Sequence, residues 1–160
     1  MEKGRDFLRA QVSNAVMQHR TLVDNLEDHA ATGKDPAYQQ LCQRWLPKMQ
    51  QHQRMLEEYR ATLGEPAGEG VKGVIGSLLG KARDAVDALR EDDFLSVVAD
   101  IVTIRQSQDS FATFAAVGER IGQPRMSEIG RHCEPDHAQM AADFNRHVQE
   151  LFVRNAQAAA

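Results

Sequence analysis

A chain of 160 residues is sized for one domain with a real core, and its 19 basic against 23 acidic side chains lack the basic surplus that a phosphate backbone demands. No apolar run approaches the roughly 20 residues that span a bilayer, and the charged start Met1-Glu2-Lys3-Gly4-Arg5-Asp6 lacks the apolar core of a signal peptide. These features predict a cytoplasmic protein without nucleic-acid or membrane partners, with Cys42 and Cys133 as free thiols.

The first predicted helix carries Leu8, Val12, Ala15, His19, Leu22, Leu26 and His29 at alternating steps of four and three, the spacing of a bundle seam. Gly33-Lys34-Asp35-Pro36 reads as a helix stop followed by a proline in the first turn of the next helix, where its missing N–H costs nothing. The second helix continues with Tyr38, Leu41, Trp45, Met49, His52, Leu56, Tyr59 and Leu63, and Gly64 ends it. Residues 65–92 are too long for a hairpin loop; they are expected to form a crossover with one short helix.

The third helix is predicted to bury Phe94, Val97, Ile101, Ile104, Gln108, Phe111, Ala115 and Gly118, leaving Asp100 and Asp109 toward solvent. A second turn at Ile121-Gly122-Gln123-Pro124 opens the fourth helix, with Met126, Ile129, Cys133, His137, Met140, Phe144, His147 and Leu151 inward. Pro47 and Pro135 stand equally far into their helices, and a shift of 88 positions superposes them together with Pro36 and Pro124. Each is expected to bend its helix and to free a carbonyl, at Gln43 and Arg131, for a donor such as histidine. The fold class is thus all-α: an antiparallel four-helix bundle of two hairpins, 1–64 and 93–157, with the long crossover between helices 2 and 3.

Counting from the turns places candidate ligands at one height. His19 lies 15 residues before Lys34 and His52 lies 18 after it, while Gln108 and His137 stand 15 and 14 residues from Gln123. At a rise of about 1.5 Å per residue, all four belong near mid-bundle. Glu134-Pro135-Asp136-His137 sets a carboxylate and an imidazole one turn apart on a helix face, the spacing bundles use for metal. The bland reading makes His19, His29 and His147 core residues bonded to backbone carbonyls. No nucleophile elbow or phosphate-cradling loop is present, so no catalytic residue is expected.

Asp35-Pro36, His52-Gln53-Arg54-Met55-Leu56-Glu57, Ala61-Thr62-Leu63-Gly64-Glu65-Pro66 and the stretch from Phe111 to Gly122 carry a resemblance to the ferritin-like superfamily, in particular the bacterial YciE/YciF type of stress-associated proteins. The resemblance implies a mid-bundle di-metal centre, with His52 at a family histidine, Glu134 near a family glutamate and His19 where the first helix offers a glutamate. It also implies a homodimer. The expected carboxylates are missing around Pro47 and Met49, and around Ile104, Arg105, Gln106 and Gln108. Two readings follow: a bundle acting by assembly or partner binding without a cofactor, or a single Fe or Zn-like ion on His19, His52, Glu134 and His137. A small-molecule cavity opened by the two bends is a third.

Overall fold

The computed structural model describes residues 2–64 and 93–158, which form four long helices and contain no strand. We number them α1 (Glu2–Thr32), α2 (Pro36–Leu63), α3 (Asp93–Val117) and α4 (Pro124–Ala158), with a single 3-10 turn at Glu119–Ile121. The crossover expected over 65–92 lies outside the described residues. No helix among the described residues is long and apolar enough to cross a membrane.

Both proline turns form as their residues require. Asp35 caps α2, its Oδ1 accepting from Ala37 N at 3.1 Å, and Pro36 follows as the first helical residue. Gly64 ends α2 at φ 76°, a left-handed value that glycine adopts without a Cβ penalty. Gly122 does the same at φ 69° before Pro124. Both α2 and α4 continue as unbroken helix through Pro47 and Pro135.

Neighbouring helices run antiparallel in the spatial order α1, α2, α4, α3. Arg9 Nε donates to Leu63 O at 2.6 Å at one end, and Asp35 N donates to Asp93 Oδ2 at 2.5 Å at the other. Gly64 and Asp93 therefore sit at opposite ends of the bundle. The helix directions are up, down, down, up.

The predicted seams of α1, α2 and α4 face inward, with Leu8 and Leu63 only half-buried at the ends. The third helix differs. Val97, Ile104 and Phe111 are buried as expected, but the companion positions are Asp100, Ser107 and Phe114, while Ile101, Gln108 and Ala115 are half-buried. Asp100, expected toward solvent, has no exposed surface. The physical reason is that α3 is apolar on its outer side as well, at Leu95, Val98 and Val102, so apolar spacing does not single out one face.

At Gly130 the backbones of α3 and α4 touch. A Cβ there would stand 2.5 Å from Phe111 O and closer still to Ala115 N, neither of which is a movable side-chain end. Gly130→Ala is expected to force the hairpin apart at about 1–3 kcal/mol or more, lowering Tm by about 2–4 °C per kcal/mol. Gly4→Ala, with nothing within 4 Å, is the control and should leave Tm level or higher. Differential scanning calorimetry of the two variants reads this; equal melting points would refute the close approach.

Candidate metal centre

The apolar core is split in two. One cluster includes Leu22, Leu26, Met49, Ile104, Met140 and Phe144, and the other includes Val12, Val16, Leu56, Phe111, Ile129 and Cys133. Between them, on three helices, lie His19, His52 and His137, each at most 1 % exposed. One ligand nitrogen from each falls within 4.8 Å of the other two. A tetrahedral ion holding imidazoles at about 2.0–2.1 Å would draw those nitrogens to about 3.3 Å, a contraction that side-chain torsions can supply.

Two of the three rings are held by a hydrogen bond. His19 Nδ1 lies 2.8 Å from Gln53 Oε1. The Gln53 amide cannot present its nitrogen there, because Nε2 donates to Glu57 Oε1 at 2.8 Å and to Val16 O at 3.3 Å. Nδ1 of His19 therefore carries the proton, and Nε2 keeps its lone pair. His137 Nδ1 donates to Cys133 O at 2.9 Å, which again leaves Nε2 bare. His52 Nε2 stands 3.1 Å from Asp136 Oδ2, short of hydrogen-bond alignment, and Nδ1 has no partner. Asp136 in turn takes Lys48 Nζ on Oδ1 at 2.9 Å. An amide, a backbone carbonyl and a carboxylate behind three imidazoles form the outer shell that metal-ligating histidines use.

The bare nitrogens are buried and make no hydrogen bond. Leaving such acceptors unsatisfied costs about 1–3 kcal/mol each. Burial, with repulsion from His137 next, lowers the His19 pKa to about 3; burial and His137 bring His52 to about 4, and burial brings His137 to about 4. All three are neutral at pH 7, the state that binds metal.

The predicted set of four is thus brought together in part. Glu134 stands outside the three-histidine group, half-buried, with its Oε1 accepting from Gln108 Nε2 at 2.8 Å. Burial holds the Cys133 thiol at about 12, so it is protonated and inert. The remaining helix, α3, contributes Phe111, whose ring centroid lies 5.7, 6.2 and 4.8 Å from those of His19, His52 and His137. Ser107, one turn away on the same buried face, has an Oγ with no partner. Placing the α3 seam at Gln108 hid Ser107 from sequence reasoning. Its signal was a small polar residue between Ile104 and Phe111.

Of the other histidines, His132 is exposed, while His29 and His147 are buried as expected and meet side chains rather than carbonyls. His29 Nδ1 donates to Asp100 Oδ2 at 2.8 Å, and Tyr38 OH donates to the same oxygen at 2.5 Å. His147 Nε2 lies 3.3 Å from Asp35 Oδ2 and its ring stacks on Tyr38. The carbonyl of the histidine contact in α4 is that of Cys133, not Arg131.

Fold and site together define a four-helix bundle with a buried tri-histidine layer. Residues 1–59 match a family described as Domain of unknown function (DUF4142), a stretch that holds α1, most of α2 and two of the three clustered histidines. No curated protein and no solved structure matches the chain.

Proposed function

We propose that this chain is a ferritin-like bundle that holds one zinc-like or ferrous ion on His19, His52 and His137, in place of a di-iron centre. The observation that carries this reading is the convergence of three neutral imidazoles within 4.8 Å, each with a buried ring nitrogen free of hydrogen bonds. The up-down-down-up order of the helices, with Gly64 and Asp93 at opposite ends, supports the ferritin-like part. Two hard cations need several bridging carboxylates. Here Glu134 is engaged by Gln108 and Asp136 by Lys48, so the residues fit a single borderline ion instead.

Metal analysis after dialysis against Zn(II), with no chelator in the purification, should return about one ion per chain, and His137→Ala should lose most of it. Wild-type metal well under one equivalent, unchanged by that variant, would reject the site. The chain would then be a bundle acting by assembly, a second reading that rests on the outward-facing Leu95, Val98 and Val102 of α3.

A further inference from the structure

The coordination shell offered by this bundle is incomplete on one side. Three helices supply an imidazole each, while α3 turns toward the same level a phenyl ring and a hydroxyl. Among the described residues no fourth histidine, cysteine or carboxylate joins the group. Structural zinc sites close with four protein ligands; three-ligand sites keep a position for an exogenous group.

Charge decides what that group is. A divalent ion on three neutral imidazoles leaves two positive charges in a layer with almost no solvent exposure, an arrangement that low dielectric penalises heavily. The nearby carboxylates Asp136 and Glu134 are already held by Lys48 and Gln108. A negative ligand from outside offsets part of this. Phe111, packed against all three rings, restricts the ligand to a few atoms, and Ser107 Oγ offers an unused donor on the same buried face. A groove of about 940 Å³ opens between α1 and α3, walled in part by Gln18, Ser110 and Phe114, close in sequence to His19 and Phe111.

We infer that the ion held by His19, His52 and His137 keeps an open coordination position facing α3, and that a small monoanion from solvent binds there with Ser107 as its hydrogen-bond donor. This rests on the metal reading above.

Cobalt(II) separates the two claims, because its visible bands report coordination. Visible bands on adding Co(II) to the full chain, absent in His137→Ala, establish the metal reading; their failure to appear would end both claims. Azide titrated into the Co(II) protein is then expected to shift the bands saturably. Ser107→Ala should weaken azide by about 2–10-fold, the loss of one hydrogen bond. Bands indifferent to azide would overturn the open position, and if Glu134→Gln alters the azide-free spectrum, Glu134 is the fourth ligand. Azide affinity unchanged in Ser107→Ala would overturn the role of the hydroxyl.

Discussion

Metal-free protein is expected to lose stability steeply between pH 6.5 and about 4, at up to about 4 kcal/mol per pH unit. The ordinary histidine value is 6.5, and burial lowers His19 to about 3 and His52 and His137 to about 4. Between those limits the unfolded chain binds protons that the folded chain refuses. Stability therefore rises with pH, is fully present above 6.5, and falls as pH drops toward the folded values. Each such proton contributes about 1.4 kcal/mol per pH unit. Over two units the three together rival the whole stability of a typical domain, about 5–15 kcal/mol.

Urea unfolding in chelator at half-unit steps of pH measures this slope. His19→Gln, which removes one of the three titrations, should reduce it by about a third. A flat profile from pH 6.5 to 5 would contradict neutral burial of the cluster. Bound metal should oppose acid unfolding until protons displace it.

Asp100→Ala is expected to destabilise the bundle by about 3–5 kcal/mol, the usual cost of removing one partner of a buried pair. Asp100 has no exposed surface, and its Oδ2 accepts from both His29 and Tyr38, so one truncation leaves a buried imidazole and a phenol without their shared acceptor. At this chain length the change corresponds to about 2–4 °C in Tm per kcal/mol. Although burial opposes it, the Asp100 hydrogen bond and charge, with help from Asp28 and Asp93, raise the His29 pKa above its ordinary 6.5.

The sign of this contribution is opposite to that of the mid-bundle cluster. It is fully present below 6.5 and is lost as pH rises through the folded value. The two sites together predict a stability maximum between 6.5 and the folded pKa of His29. In Asp100→Ala the alkaline decline should disappear while the acid slope persists. A double-mutant cycle with Tyr38→Phe should show coupling, as residues sharing one network do. A loss below about 1 kcal/mol for Asp100→Ala would mean that the pair does not hold the four helices in register.

Much of the architecture was legible in the chain because its signals are local. Helix periodicity, Asp35-Pro36, Gly64 and Gly122-Gln123-Pro124 each act within a few residues of themselves, and they place three of the four helices with their inward faces. Counting from the turns also brought His19, His52 and His137 to one height, since rise per residue is constant along a helix. Glu134 shared that height as well. Height alone does not say which polar side chains meet, and Gln108 took the carboxylate.

The phase of α3 was not legible. With apolar residues on both sides of that helix, spacing by itself leaves two seams open, and packing against α1 and α4 selects the one through Asp100, Ser107 and Phe114. A carboxylate and a hydroxyl thereby enter the core at positions that composition assigns to solvent.

By itself, then, the sequence determined the four long helices of the described residues, the turns that join each hairpin, the inward faces of α1, α2 and α4, and the level of the histidines. Tertiary structure alone decided the pairing of His29 with Asp100, the partners that hold His19 and His137, and the presence of Phe111 and Ser107 on the side of the layer that α3 covers. The reason is physical. Helix formation and capping are settled by neighbours along the chain, whereas the state of a buried polar group depends on which groups distant in sequence share its low-dielectric surroundings.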